Sequence, residues 1–251
     1  MAPFTARPKM ILPQLLLRFA QHRDDAVFYA MQATDSIRWL QEKGVRLGTG
    51  VRVLDLGCGH GVFGGQLRRM GCEVTFADEA NYLLPEHRDG EWKAADLDGE
   101  GWDGLGTYDL VIFSNVLEHL RQPRRFLAGA DRLLKPGGRL YLSWTNWLSP
   151  WGGHEFSPWH FLGPRLGPAV YDRIAKRPRF HRPDDNLFIT HIGRTLGWLE
   201  EDGRLVVEAM APRYYTEWEG LVKVPLVREF LTWNCALLLG LPEGDGEGSA
   251  R

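Results

Sequence analysis

Cysteine is scarce, and its three copies, Cys58, Cys72 and Cys235, stand far apart without a CxxC pair. Disulfide frameworks and cysteine zinc sites need paired cysteines, so neither is predicted, and a reducing cytoplasm is the expected location. An excess of charge of one sign is also lacking, because 30 basic and 32 acidic residues leave a net charge of −2. The composition therefore gives no reason to expect nucleic acid as a partner.

Long apolar runs are missing as well. The N-terminal apolar patch 10–20 is interrupted by Pro13, Gln14 and Arg18, so it is too short for a membrane span and a poor signal peptide. We interpret it as part of an N-terminal helical cap. Peripheral membrane contact is the less favoured alternative, which stays open because a lipid-like substrate would need such a surface.

The stretch 51–66, VRVLDLGCGHGVFGGQ, has the pattern of a buried strand, a glycine loop and a helix start. Its alternating glycines would let the backbone approach a ligand, and the free N–H groups of the helix would face that ligand. Asp55 favours a ligand with an ammonium group over a pyrophosphate. Val62 stands where a dinucleotide fingerprint has Gly or Ala. Both residues argue against a dinucleotide-dependent oxidoreductase, which is kept as the alternative.

The string LDLGCGHG closely resembles the first motif of the class I S-adenosylmethionine-dependent methyltransferases. LLKPGGRLYLSW resembles the passage into the fifth strand of that family. SNVLEHL resembles the segment after its fourth strand, particularly in the type 11 branch that includes the ubiquinone and menaquinone methyltransferases. The resemblance implies S-adenosylmethionine as cofactor and an α/β fold. That fold is a doubly wound, Rossmann-like sheet of seven strands, mostly parallel with an antiparallel last strand and helices on both faces.

The resemblance also implies cofactor-binding residues in four places. Asp78 follows Gly57 by 21 residues, near the spacing at which an acid reaches ribose hydroxyls, and Glu79 is its neighbour. Asp96 and the N–H of Leu97 are expected to pair with adenine. A helix cap for Asp78 and a solvated turn for Asp96 remain open. The full set is Asp55, Gly57, Cys58, Gly59, Gly61, Asp78, Glu79, Asp96, Leu97, Ser114 and Asn115.

Two histidines are candidate general bases. His119 belongs to the segment that the family places beside the methyl-transfer centre, and His154 lies in the later aromatic segment. Histidine suits the deprotonation of a hydroxyl because its unperturbed pKa is about 6.5. A structural hydrogen-bonding role for His119 is an equal alternative, and a methyl transfer can proceed without any base.

The segment 146–186 is rich in proline and aromatic residues, which indicates a substrate lid or pocket wall rather than disorder. Its HExxxxH string differs from the HExxH of zinc proteases and contains Pro158, so we predict no metal site. The basic residues near its end suit either a solvated face or an anionic substrate group. The predicted substrate residues are Trp147, Trp151, His154, Glu155, Trp159, His160, Arg177 and Arg179.

We predict one elaborated domain in five parts. These are an N-terminal helical cap (1–48), a cofactor-binding core (49–145), the substrate-side insertion (146–186), the C-terminal part of the sheet (187–240) and a disordered tail (241–251). Helices are expected from Asp24 or Asp25, from Pro123 to Lys135, and from Leu187 to Leu199. The predicted function is methylation, at oxygen, of a small-molecule, glycan-like or lipid-linked acceptor. A non-catalytic cofactor-binding protein that uses the aromatic insertion for a partner is a further alternative.

Overall fold

A seven-stranded sheet forms the centre of the molecule. The computed structural model describes residues 11–20, 26–99, 103–175 and 178–242. Within them the strands follow the order β3-β2-β1-β4-β5-β7-β6, and β7 is antiparallel to both of its neighbours. The predicted fold class is confirmed. The strands are β1 Arg52–Leu56, β2 Glu73–Asp78, β3 Glu91–Ala94, β4 Tyr108–Ser114, β5 Leu134–Thr145, β6 Val206–Pro212 and β7 Asn234–Gly240.

Helices cover both faces of this sheet. Successive strand residues point to opposite faces, and Val53 and Leu54 are both fully buried, as expected for a strand covered twice. Helices α2 and α3 pack on the face of Val53, and α4 and α6 pack on the face of Leu54. None of the helices in the described ranges is long and apolar enough to cross a bilayer. The helices are α1 Leu12–Ala20, α2 Ala26–Glu42, α3 Val62–Arg69, α4 Pro123–Leu127, α5 Gly163–Ala175, α6 Ile192–Asp202, α7 Glu219–Val222 and α8 Val227–Leu231.

The predicted helix from Pro123 to Lys135 is wrong in its second half. Helix α4 ends at Leu127, a separate 3-10 turn follows, and Leu134 already pairs with Tyr108 in the sheet. The register shifts before the next β4–β5 pair, so residues 135–138 form an irregular bulge. A Cβ on Gly138 would lie 2.7 Å from the carbonyl oxygen of Tyr108, so the backbones are close enough here to require glycine.

The predicted helix from Leu187 is also wrong at its start, because α6 begins at Ile192. The preceding residues are extended and hydrogen bonded elsewhere. The N–H of Phe188 donates to the Glu118 carbonyl at 2.7 Å, and the Thr190 carbonyl accepts from Trp147 at 3.1 Å. These bonds hold the segment beside the carboxyl ends of the strands. Two other predictions, the Asp24 or Asp25 helix cap and most of the tail, lie outside the described residues.

Candidate active site

The loop after β1 is held against β2 by its own backbone. The N–H groups of Gly57 and Cys58 both donate to the Ala77 carbonyl, at 2.8 and 3.1 Å. Gly57 has a φ of 69°, and a Cβ on it would lie 2.4 Å from a methyl carbon of Val116. Gly59 has a φ of 48° and open space around its Cα. Both positions therefore need glycine for their left-handed backbone, and Gly57 also needs it for its close contact with Val116.

Asp55 lies beneath this loop and is almost fully buried. Its Oδ2 accepts the N–H of Gly64 at 2.8 Å, inside the first turn of α3. Burial raises the pKa of Asp55 to about 7, and the neighbouring Asp78 carboxylate adds to the rise. A cationic group in the adjacent cavity would stabilise the ionised form, whereas a phosphate would oppose it.

Asp78 is the last residue of β2, and both of its oxygens contact the backbone. Oδ2 accepts from Gly59 N at 2.8 Å, and Oδ1 accepts from Glu79 N at 2.8 Å. Burial raises the pKa of Asp78, while these two N–H donors oppose the rise. Each carboxylate oxygen keeps a further lone pair, so the group can still accept from a diol. Its bond to Gly59 fixes it beside the glycine loop.

The predicted adenine residues have local roles in the structure. Oδ1 of Asp96 accepts from the N–H groups of Asp98 and Gly99, at 3.1 and 3.0 Å, which is the geometry of an Asx turn. Leu97 packs against the core on one face of the sheet. Glu79 accepts from the Tyr82 hydroxyl at 3.0 Å. These contacts leave the proposed adenine role as a prediction.

At the end of β4, Asn115 has a left-handed backbone, with φ at 57°. Such a conformation is uncommon outside glycine and often occurs at functional sites. Its side-chain oxygen accepts from Arg213 at 3.0 Å and from Asn234 at 2.8 Å, and its amide nitrogen donates to Gln32 at 3.1 Å. The neighbouring Ser114 accepts from Ser143 at 3.2 Å.

Arg213 was missed by the sequence analysis. It follows the last residue of β6, is 2% exposed and lines the same cavity as Asn115. Its Nε donates to Ser36 at 3.0 Å, which in turn shares a 2.8 Å hydrogen bond with the Tyr141 hydroxyl. A buried arginine is unusual unless its donors have partners, and here the neutral side chains of Ser36 and Asn115 accept from Nε and Nη1. A lone arginine between apolar residues gave no signal in the sequence.

Three histidines meet at the cavity. His119 lies in a 3-10 turn, Leu117–His119, whereas the family resemblance implies that a helix begins at Glu118 and His119. Its ring centroid is 5.6 Å from that of His154 and 5.5 Å from that of His181. The ring centroids of His154 and His181 are 4.2 Å apart. His181 was not among the predicted site residues, because it lies 27 positions after His154, beyond a loop and a helix.

The aromatic insertion divides into two groups of residues. Trp151, His154 and Glu155 line the cavity, and their substrate role stays a prediction. Trp147 instead packs in a small separate core with Phe156 and half-buried Trp159. His160 is buried, and its Nε2 is 2.9 Å from the carbonyl oxygen of Ser149. Its ring also packs edge-on against that of Trp147. These three predicted substrate residues, Trp147, Trp159 and His160, therefore serve the internal packing of the segment.

The basic residues of the insertion do not line the cavity in the described part of the chain. Arg179 pairs with Asp172 at 2.8 Å, donates to the His181 carbonyl and lies over the Phe156 ring. Its guanidinium is thus already occupied in holding the segment together, and its substrate role stays a prediction. Arg177 lies outside the described residues.

The cavity between these parts has a volume of about 450 Å³. The glycine loop and Asp55 form one side, and Ser114 with Asn115 lies at the end of β4. Aromatic side chains from α2, the insertion and the C-terminal part of the chain form an apolar wall of the cavity. These are Phe28, Tyr29, Trp151, Tyr214 and Trp233. The site therefore combines a polar, backbone-rich floor with an apolar wall.

Comparison with known proteins agrees with this geometry. A methyltransferase domain model matches residues 12–177. An uncharacterized methyltransferase of Mycobacterium marinum is 32% identical, over 90% of this chain and 92% of its own length. A relative from Mycolicibacterium vanbaalenii is 34% identical, over 88% and 90%. The chain belongs to the methyltransferase domain family. Membership decides against the dinucleotide-dependent oxidoreductase, and the ubiquinone-like branch stays a prediction.

Solved structures show the same fold around the methyltransferase core. An S-adenosylmethionine-dependent methyltransferase from Mesorhizobium loti has a TM-score of 0.55 at 18% identity, covering 82% of this chain and 97% of the other. Magnesium protoporphyrin IX methyltransferase from Synechocystis was solved with bound SAH (S-adenosylhomocysteine, the demethylated form of the cofactor). It has a TM-score of 0.51 at 18% identity, covering 91% of this chain and 95% of the other. The methyltransferase uses S-adenosylmethionine as its cofactor.

The residues of the loop suit this cofactor. The open space around Gly59 would admit a ligand against the backbone, and buried Asp55 would provide a carboxylate for the cationic amino acid part. Asp78, fixed beside the loop, would provide acceptors for the ribose hydroxyls. When bound, the cofactor supplies a methyl group on a sulfonium sulfur. The protein then has mainly to hold the acceptor in line with that methyl group and to keep water away.

Proposed function

We propose that this methyltransferase methylates a hydroxyl oxygen on an acceptor with an apolar body, either a small molecule or the head of a lipid-linked molecule. The observation that carries the proposal is the cavity itself, which the glycine loop, the aromatic wall and the histidine cluster line together. An aromatic wall favours an apolar ring or chain, because aromatic side chains bury large apolar areas. A glycan-like acceptor would find fewer polar partners on that wall.

The histidine cluster supports oxygen as the methylated atom. Hydroxyl oxygens are poor nucleophiles until their proton leaves, so an O-methyltransferase benefits from a neighbouring group that favours deprotonation. His119 and His154, the two candidate bases, both line the cavity. Burial, followed by the nearby His181 and His119, lowers the pKa of His154 well below its usual value, so this ring is neutral at pH 7.

Helix α1 supports an acceptor with a long apolar part. Leu12 and Leu15 of α1 line the cavity, while Leu17 on the same helix is 61% exposed. An apolar chain could therefore leave the cavity along α1 without entering water completely. This arrangement also suits contact with a lipid surface, which would deliver such an acceptor.

The experiment is a search for products in lipid and metabolite extracts incubated with the protein and cofactor carrying a labelled methyl group. Mass spectrometry should find a product that gains one labelled methyl group, and its fragments should place the label on oxygen. An Asp78→Ala variant should give no labelled product, which serves as the control. A label on nitrogen or carbon would contradict the proposal, as would cofactor binding with no product from any fraction.

A further inference from the structure

The three histidines of the cavity come from separate parts of the chain. His119 follows β4, and His154 and His181 lie on either side of α5. One ring nitrogen of each lies within 4.8 Å of the corresponding nitrogens of the other two. Two nitrogens bound to one ion lie at most about 4.2 Å apart, because metal–nitrogen distances are about 2.0–2.1 Å, so small side-chain rotations would bring the three nitrogens onto one ion.

In His119 and His181, the ring nitrogen Nδ1 makes the kind of hydrogen bond that the non-ligating nitrogen of a metal-bound histidine usually makes. Nδ1 of His119 lies 2.7 Å from the carbonyl oxygen of Asn186, so it donates its proton there. Nδ1 of His181 donates to Oε2 of Glu155, whose other oxygen accepts the backbone N–H of His181 at 2.7 Å. A carbonyl and a carboxylate thus fix the two tautomers. The Nε2 lone pairs of both rings remain available for a ligand.

His154 completes the set and is the least explained residue in the absence of a ligand. Its Nδ1 is buried and makes no hydrogen bond of good geometry among the described residues, although the backbone of Gly152 lies near the ring. An unsatisfied buried polar atom costs about 1–3 kcal/mol, so such atoms in native proteins usually have a partner. A metal ion at the cluster would give this ring such a partner.

We propose that His119, His154 and His181 bind one divalent transition-metal ion of the Zn²⁺ type, with an open coordination position toward the cavity. Three neutral imidazoles suit zinc, whose catalytic sites commonly have three protein ligands and one open position. The HExxxxH string gave no reason to predict a metal site, because it pairs His154 with His160. In the structure His160 is instead directed at the Ser149 carbonyl.

The role of the ion in catalysis rests on the proposed O-methylation, whereas its binding does not. A divalent cation beside the acceptor would stabilise the oxyanion that remains when the hydroxyl proton leaves to solvent. The oxygen lone pair then forms the O–CH₃ bond as the C–S bond of the sulfonium breaks, and the neutral thioether leaves. In this role the histidines hold the cation and do not take up the proton themselves.

The test measures metal binding on the full chain without a histidine tag, after treatment with a chelator and its removal. Titration with Zn²⁺ should give one site by calorimetry, and titration with Co²⁺ should give the visible absorption bands of a four-coordinate ion. His154→Asn and His181→Asn should each weaken binding by at least tenfold. Glu155→Gln should weaken it by about 10–100-fold, because it leaves the three ligands in place but removes the carboxylate that orients one of them.

The matched control is His60→Asn, since His60 lines the same cavity but lies outside the cluster. It should bind Zn²⁺ like the parent protein. Binding of SAH by each variant shows that it is folded, and Asp78→Ala should lose SAH but keep the metal. The proposal is overturned if the parent protein binds neither ion, or if folded histidine variants bind as tightly as the parent. Metal binding without any O-methylated product would contradict only the proposed function.

Discussion

At the scale of single residues, Asp55 shows how the cofactor site differs from a phosphate site. The fold around it is shared by many nucleotide-binding proteins, so the loop glycines alone leave the ligand open. A buried carboxylate with a pKa of about 7 is neutral or charged according to pH and ligand. It receives one N–H bond, from Gly64, and this bond does not offset the burial of its charge.

This environment predicts pH-dependent binding of the cofactor product. Between about pH 6 and pH 7.5 the ionised fraction of Asp55 rises several-fold, so the affinity for SAH should rise by about five- to tenfold. Calorimetry across this range measures the effect. A flat profile would mean that Asp55 does not face the ammonium group of the ligand.

The same residue predicts a conflict between stability and function. The pKa of Asp55 is higher in the folded chain than in the unfolded one, so its contribution to stability is present at low pH and is lost as pH rises through about 7. Asp55→Asn should therefore raise the melting temperature at pH 8 while it weakens SAH binding. Asp89→Ala, which removes an exposed acid on the same side of α3, should leave SAH binding unchanged.

Some site residues could be predicted from the sequence because their position in a motif defines their role. Asp55 and Asp78 each lie near the carboxyl end of a recognisable strand, and the loop glycines stand at alternate positions. Arg213 and His181 lie in segments without a motif, and their partners are distant in the chain. Ser36, for example, is 177 residues from Arg213. Long-range contacts of this kind depend on the packed fold and leave no local pattern.

At the scale of helices, two glycines have opposite environments. Gly64 of α3 packs so closely that a Cβ would lie 2.5 Å from the Phe76 ring and 2.8 Å from Oδ2 of Asp55. Gly197 in the middle of α6 has no atom within 4 Å of an added Cβ. Glycine reduces helix stability because the unfolded chain has more backbone freedom, so the same substitution should act in opposite directions.

We therefore expect Gly197→Ala to stabilise the protein by about 0.5–1 kcal/mol. Gly64→Ala should destabilise it by about 1–3 kcal/mol, because the added methyl group overpacks the contact between α3 and the sheet. Thermal and denaturant unfolding measure both changes. A stabilising Gly64→Ala would show that α3 can shift away from the sheet without cost.

The insertion shows the limit of composition as a guide to function. Its aromatic residues predicted a substrate wall, and Trp151 does line the cavity. Trp147 and Phe156 instead bury each other, because a segment of this length outside the main core needs a small core of its own. Composition indicates that a segment is ordered, but it does not separate residues that pack from residues that face a ligand.

At the scale of the whole molecule, the type of sheet was predictable and the ends of several elements were not. The family motifs placed β1, the end of β4 and β5. The wrong start of α6 occurs where the backbone of Phe188 and Thr190 bonds to distant segments. At the end of α4 the chain makes local turn bonds until Leu134 joins the sheet. Helix propensity and apolar spacing carry no information about such competing partners.

The cofactor site joins segments from both ends of the chain, so occupancy should stabilise the molecule as a whole. Leu15 of α1, the β1 loop and Trp233 all line one cavity. A ligand that binds the folded state alone adds about 2.7 kcal/mol at a concentration of 100 times its Kd. For a chain of 251 residues this should raise the melting temperature by roughly 5–10 °C.

Differential scanning calorimetry with and without SAH measures this shift. Asp78→Ala should reduce it strongly at the same SAH concentration, because the lost carboxylate weakens binding rather than folding. Gly197→Ala should raise the melting temperature of the free protein but keep the full shift, since it lies outside the cavity. If SAH sharpened or split the unfolding transition without raising it, the cavity would not act as one cooperative unit. The N-terminal helices would then unfold separately from the sheet that carries the cofactor.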